Sequence, residues 1–455
     1  MGKVNIELAV DAAGDGRTDC SNAIQRAIDT VSASGGGKVY FRPGIYLTGS
    51  IFLKSGVTLE IGEGVELRGI IDETAYPDIW TRVAGIEMEW PAGLINVIGQ
   101  ANVTITGKGT IDGQGFYWWN KYWGEDRLGG MRKEYTGKGL RWAVDYDCKR
   151  PRNILIYNSS QVTLRDLTLR RSPFWNVHIC YSTDVYVSGL VIKDNEGPST
   201  DGIDVDSSRN VLIENCNIEC NDDNICIKAG RDADGLRVNR PSENIVVRNC
   251  SIGSGAGVTI GSETSGSIRN VEIYQIKANG TDGGFRIKSA LTRGGVIENV
   301  RVHDFEMVNV LRPFIFQLNW NPSYSYASLP ENWKGNIPAH WKVLTEHVPE
   351  ELGIPTVRNI EISGVVAKSI HEISELSSGK HAESQAMEIE AHPSRPITWV
   401  KWKNVYIEAD KTGYIENASD WTMENVTIRT RGGEPVRMKN CVNVQAPKVE
   451  KMEGI

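Results

Sequence analysis

The chain has 455 residues, with 50 basic side chains against 57 acidic ones and a formal net charge of −7. That balance is too mild for a nucleic-acid binder or a disordered acidic tail, so an anionic ligand would need a local basic patch. No apolar run approaches the ~18 residues of a membrane span, and Met1-Gly2-Lys3-Val4-Asn5 lacks the apolar core of a signal peptide, which leaves a cytoplasmic protein or one whose leader has been removed.

The first unit along the chain is a turn, Gly14-Asp15-Gly16, followed by Thr18-Asp19-Cys20-Ser21, residue types that cap a helix. Ile24, Ala27, Ile28 and Val31 then recur at helical spacing, and Gly35-Gly36-Gly37 ends the segment. Residues 39–41, 45–47, 51–53 and 57–61 are short strand candidates between turns. One amphipathic helix ahead of many short strands predicts a solenoid with a capped end.

Residues 72–91 interrupt the pattern with Tyr76, Trp80 and Trp90, and strand candidates at 102–107 and 109–113 resume it. A second interruption, about 114–152, carries Tyr117, Trp118, Trp119, Tyr122, Trp123, Tyr135 and Trp142. Packing a long loop onto its scaffold is the commoner use of such aromatics, and stacking on sugar rings is the other. From Asn153 the repeat is at its most regular, with apolar runs at 154–156, 162–164, 167–169, 177–179, 185–187 and 190–192. Asn-x-x-Val/Ile steps recur about every 20 to 30 residues, the period expected when each turn of a parallel β-helix supplies three short strands. A doubly wound sheet is disfavoured because no long helices alternate with the strands. A third aromatic interruption spans 319–355, and strands at 360–362, 387–390, 399–402, 405–407, 413–415 and 426–428 close the far end. The reading is one all-β domain over residues 1–455, with central coils at about 153–320.

Eight cysteines are present, without a CxxC pair or a Cys/His cluster at metal-ligand spacing, which disfavours zinc. Cys216 and Cys250 hold the same place in Asn210-Val211-Leu212-Ile213-Glu214-Asn215-Cys216 and Asn244-Ile245-Val246-Val247-Arg248-Asn249-Cys250, which predicts a core ladder. Disulfides elsewhere stay open.

Four short groups sit beside central strands: Ser199-Thr200-Asp201, Asn221-Asp222-Asp223, Gly255-Ala256-Gly257 and Arg286-Ile287-Lys288. Asp201 and Asp222 are about one coil apart, so they project from equivalent positions on rungs roughly 4.8 Å apart, with Asp223 beside them. Carboxylates that close ionise unequally, which leaves one as a proton donor near neutral pH. That is the apparatus of glycoside hydrolysis. An Asp-Asp pair alone is more often a turn, but Arg286 and Lys288 share a strand face and supply cations for a substrate carboxylate. Gly253-Ser254-Gly255-Ala256-Gly257 looks like a phosphate loop only superficially, because no helix pattern follows it.

In order and spacing these groups resemble the signature of the polygalacturonases, glycoside hydrolase family 28. The likeness rests on Asp201 within Ser-Thr-Asp-Gly, Asp222 and Asp223 within Asn-Asp-Asp-Asn, the run Gly255 to Ser262, and Arg286-Ile287-Lys288. It extends from the Gly-Asp-Gly turn to about Asn319. The resemblance implies a right-handed parallel β-helix of the pectin-lyase type with an N-terminal capping helix, and inverting hydrolysis without metal or cofactor. It makes Asp222 the general acid, sets Asp201 and Asp223 to activate water, and gives Arg286 and Lys288 to a galacturonate at the cleavage site. His178 and Lys228 are further substrate-binding candidates, although a lone His beside a strand is more often structural. Carboxylates on adjacent rungs stand nearer the spacing of retaining enzymes, whereas the family's stereochemistry is inversion.

Two departures from the family pattern bear on substrate. Ser199 stands where the family usually has Asn, and Ala256 stands for the histidine of Gly-His-Gly. Alanine can neither bond to a carboxylate nor tune it. Relatives acting on rhamnogalacturonan resemble this pattern, so the expected substrate widens to homogalacturonan, the galacturonate–rhamnose backbone, or oligosaccharides of either. The long aromatic loops predict exo action. Two rivals remain: an inactive carbohydrate-binding β-helix, suggested by the missing histidine, and a β-eliminating pectin lyase, which would need a strong base. A pectic saccharide is the expected partner, with neither nucleic acid nor membrane; no motif encodes an oligomeric state.

Overall fold

The computed structural model describes residues 6–368 and 383–452, so the N-terminal pentapeptide read for a leader lies outside the described residues. Nearly all of the strands belong to parallel ladders, as a β-helix requires. One coil shows how the sequence builds them. Strands Ile154–Tyr157, Ser160–Arg165 and Thr168–Arg170 are repeated by Val177–Cys180, Thr183–Ser188 and Val191–Lys193, in register at Ile154 with Val177, Val162 with Val185 and Leu169 with Ile192. These six side chains are buried, and each such aliphatic contributes ~1.5–3 kcal/mol by leaving water.

The corners explain the recurrent asparagines. Asn158, Asn210, Asn215, Asn244, Asn249, Asn270 and Asn299 all have positive φ, a conformation that Asn tolerates better than most residues. In the long strands Ser242–Ile252, Ile268–Asn279, Val296–Val308 and Thr356–Lys368 the corner amides also bond to one another. Asn270 Nδ2 donates to Asn244 Oδ1 at 3.2 Å, Asn299 to Asn270 at 3.0 Å and Asn359 to Asn299 at 2.6 Å. The Asn period is thus a column of bonded amides.

By its internal contacts the chain divides into two compact units, residues 1–83 with 87–222, and residues 84–86 with 223–455. Each is a stack of parallel coils. In the first, strands Ile6–Ala9 and Asp15–Asp19 lead into the helix Ser21–Ala33, which buries Ile24, Ala27, Ile28 and Val31 as the spacing predicts. Its cap differs from expectation: the Cys20 side chain does not cap the helix but lies 3.2 Å from the Thr18 carbonyl, and Asp19 Oδ1 accepts from the Ser21 N–H at 2.8 Å.

The interruptions are more ordered than their sequences suggest. Residues Asp78–Val83 and Ile86–Pro91 form a two-stranded sheet. Within 114–152 lie helices Phe116–Trp123, Gly130–Gly137 and Val144–Asp147, and the first of them buries Trp118, Trp119 and Tyr122. Packing is therefore the main use of these aromatics, while Phe116 and Tyr117 stay exposed. Short helices Pro322–Ser325, Ala339–Leu344 and Glu350–Gly353 occupy the third segment. All eight cysteines are free. Cys216 and Cys250 repeat one local geometry, each Sγ lying 3.3 and 3.2 Å from the carbonyl two residues back. Among the described residues no helix is long and apolar enough to cross a membrane.

Candidate active site

In the first unit the chain enters the strand Ile203–Asp206 through Ser199-Thr200-Asp201. Ser199 is left-handed at φ 55°, which accounts for Asn as the alternative residue there. The buried Thr200 Oγ1 lies 2.8 Å from the carbonyls of both Asn195 and Gly197, sharing its one proton between them, and accepts from the Asn221 N–H at 3.3 Å. That contact ties the turn before Asp222 to the turn before Asp201. Asn176 Nδ2 donates to the Asp201 carbonyl at 3.1 Å, and Asn153 Nδ2 donates to Asn176 Oδ1 at 3.2 Å, so one amide per coil fixes the backbone. Asp201 and Asp222 consequently present carboxylate oxygens within 4.8 Å of each other. The pair is close enough to serve one glycosidic bond and its attacking water.

Asp223 follows directly in the chain and opens the second unit, where it is fully buried. Thr259 Oγ1 donates to its Oδ1 at 2.8 Å and Arg286 Nη1 to the same oxygen at 3.2 Å, while Lys288 Nζ donates to Oδ2 at 2.7 Å. Burial pushes the Asp223 carboxyl up, but the charges of Lys288, Arg286 and Lys228 outweigh it and hold the group well below the usual carboxylate range. Asp223 is therefore a permanent anion at any pH near neutrality. Lys288 Nζ also lies 4.5 Å from the centre of the Trp320 ring, a distance at which the ring face attracts a cation.

Lys228, 4% exposed, points its Nζ at Glu263 Oε2, 3.3 Å away. Burial pushes Glu263 up, and Lys228, Arg293, Lys288 and Arg231 pull it below its ordinary value. Gly255-Ala256-Gly257 works through its backbone: the Gly257 N–H donates to Asn224 Oδ1 at 2.9 Å, and the Ala256 carbonyl accepts from Arg286 Nη1 at 3.3 Å. A Cβ on Gly257 would stand 2.1 Å from the Gly283 carbonyl oxygen, at φ 90°, so only glycine fits there.

His178 is a correction. It is 0% exposed, its Nδ1 lies 2.7 Å from Arg152 Nη1, its Nε2 3.4 Å from Asp206 Oδ2, and Trp175 packs edge-on at 4.8 Å. A ligand would have to displace all of these groups to reach it. Arg82 Nη1 completes the network on Asp206 Oδ1 at 3.0 Å, and burial pushes Arg152 down to about 10. The fold also gathers His178, Cys180 and Asp206 with ligand atoms within 4.8 Å, a grouping the sequence spacing hid because Asp206 comes from the next coil. A guanidinium donates only, so Nδ1 must accept and the ring proton sits on Nε2, facing Asp206. His178 thus sits inside the packed core, between Arg152 and Asp206.

Sequence reasoning missed Thr259, Glu263, Asn224 and Trp320. Thr259 lay inside the quoted glycine-rich run, two residues past Gly257, and its strand position opposite Arg286 was the available signal. Glu263 had none.

Comparison with known proteins identifies the family. A family model described as glycosyl hydrolases family 28 matches residues 49–328, and one described as rhamnogalacturonase A/epimerase, pectate lyase-like matches residues 4–86. A protein named probable polygalacturonase from Vitis vinifera is 30% identical over 406 residues, covering 87% of this chain and 72% of that protein. An endo-polygalacturonase of Pectobacterium parmentieri is 32% identical over 284 residues, 60% of this chain and 64% of its own length. The solved exopolygalacturonase of Thermotoga maritima superposes with a TM-score of 0.72 at 26% identity, covering 100% of this chain and 95% of that one.

Proposed function

The chain belongs to the glycosyl hydrolases of family 28, and on that premise we propose that it hydrolyses α-D-galacturonide bonds of pectin, or of oligosaccharides from it, by single displacement with inversion. The observation that carries hydrolysis is the carboxylate set itself, Asp201 and Asp222 within 4.8 Å, and next in the chain Asp223, buried and held ionised by Lys288 and Arg286; inversion rests on the family membership and not on this spacing.

In this reading Asp222, the one of the three that is not fully buried, protonates the leaving oxygen. Asp201 and Asp223 orient the attacking water and take its proton. Asp223 suits that task because its cations keep it unprotonated. Arg286 and Lys288 receive the galacturonate carboxylate. The Arg286 side chain stays 12% exposed, and its planar guanidinium suits a carboxylate. Lys228 adds positive charge, and Trp320 backs Lys288.

Exo action is the second part of the proposal. Its support is the ordered 114–152 segment, whose helices pack into the first unit, together with the full-length likeness to a protein named an exopolygalacturonase. The Pectobacterium relative carries the name endo-polygalacturonase, so the product pattern decides.

The test is product analysis on polygalacturonic acid and on galacturonate–rhamnose oligosaccharides separately, beside an Asp222→Asn control. Galacturonate release that the substitution abolishes is the expected result. Release undiminished by Asp222→Asn would overturn the acid assignment, and early random-length products would overturn exo action.

A further inference from the structure

In the second unit the strands carrying Arg286 and Lys288 continue in register toward the C-terminal coils. Lys288 pairs with Gln317, Gln317 with Glu390 and Glu390 with Glu416, while Arg286 pairs with Ile315, Ile315 with Glu388 and Glu388 with Tyr414. Phe285, Ile287, Phe314, Phe316, Met387 and Ile389 are buried on the inner side. By the two-residue period of a strand, the alternate residues share the outer face with Arg286 and Lys288.

Along that face the charge reverses sign. It begins with two cations, passes a neutral rung of Ile315 and Gln317, and then meets Glu388 and Glu390. Glu388 is neutralised by Arg312, whose Nε lies 2.5 Å from Oε1. Glu416, one rung further, is answered by Arg437 at 3.2 Å and Lys439 at 3.5 Å. Glu390 is different: it is exposed, with no cation at ion-pair distance among the described residues. It stands two rungs from Lys288, roughly 10 Å along the axis, the reach of a disaccharide.

We propose that Glu390 is a specificity-determining residue that excludes a second free carboxylate on this side of the cleavage site, so that the sugar beyond the bound galacturonate is uncharged. This rests on the reading of Arg286 and Lys288 as galacturonate binders. A saccharide held there by one uronate and running along the strands toward the later coils brings its next units over Gln317 and then Glu390. A free galacturonate meets an unanswered like charge at that point, whereas a neutral sugar meets a hydrogen-bond acceptor. Two pectic sources share the required chemistry, a rhamnose in an alternating backbone and a methyl-esterified galacturonate.

The experiment compares kcat/KM on unesterified oligogalacturonates, their methyl-esterified counterparts and galacturonate–rhamnose oligosaccharides, for the unaltered protein, Glu390→Gln and Glu390→Asp. The unaltered protein should prefer at least one uncharged class, and which one identifies the source. Glu390→Gln should raise kcat/KM on the unesterified substrate about five-fold, the worth of one like charge near 4 Å in water, and leave the uncharged substrates within about two-fold. Glu390→Asp keeps the charge and should keep the preference. An absent preference, or Glu390→Gln acting equally on every substrate, would overturn the filter while hydrolysis itself persists. Failure to cleave any of the three would instead remove the proposed function, and the filter with it.

Discussion

Asp223 accepts a hydroxyl, a guanidinium and an ammonium on its two oxygens. Its carboxyl lies lower in the folded state than in the unfolded chain. The stabilisation it contributes is therefore complete above the unfolded value near 3.9 and is lost as pH falls through the lower folded one. Removing Lys288 weakens the strongest of the opposing charges. Lys288→Met should cost about 3 kcal/mol, the lower end for breaking a buried pair, because Arg286 and Thr259 remain. With burial then less opposed, the Asp223 carboxyl rises, and the acid limb of kcat/KM should move to higher pH. Melting curves and a pH–rate profile check both, and an unmoved acid limb would mean that another group sets it. Lys288→Arg should restore part of the stability and less of the rate, since a fork does not replace a point charge at 2.7 Å.

The elements around the site show why a turn needs its neighbours. The turn before Asp201 is wedged against the helix Phe116–Trp123: a Cβ on Gly197 would stand 2.1 Å from Trp119 Nε1, which donates to the Ser172 carbonyl at 2.8 Å. Arg150, sandwiched between Tyr122 and Phe174 at 4.6 and 4.8 Å, donates to the Pro198 carbonyl at 2.5 Å. Gly197→Ala should thus overpack this contact by about 1–3 kcal/mol and lower kcat more than it changes KM, because Asp201 moves while the cations do not. A pure KM effect would count against it. The coils were legible in the sequence because β-branched alternation and corner asparagines are local signals, and the carboxylates because their spacing matches one coil. The helix at 116–123 was not, since its aromatics follow no clean helical stripe and fold only by burying Trp118 and Trp119. Nor was the Arg82–Asp206–His178–Arg152 network, whose partners lie 124 residues apart at the widest. Arg150 and Arg152, both buried by the fold, carry no local signal of that burial in the sequence.

At the scale of the whole molecule, stability rests on stacked apolar coils without a covalent staple, because all eight cysteines are free. A disulfide typically adds 2–4 kcal/mol, so the melting temperature should be the same with and without reductant, and a clear drop would reveal a bridge. Charge sets a second global property. The chain carries −7 and its proposed polymer substrate is a polyanion, so the two repel at long range while Arg286 and Lys288 attract only one residue at close quarters. Raising salt from 10 to 100 mM shortens the screening length from about 30 to about 10 Å. That change removes the long-range repulsion and largely spares cations only 12% and 5% exposed. kcat/KM on polygalacturonate should therefore rise over this range, while kcat/KM on a short oligosaccharide, which carries few charges, stays flat or falls. Initial rates on both substrates across a salt series provide the check. A parallel rise on the short substrate would locate the salt effect in the cleft instead, and would mean that the net charge of the molecule plays no part in the encounter.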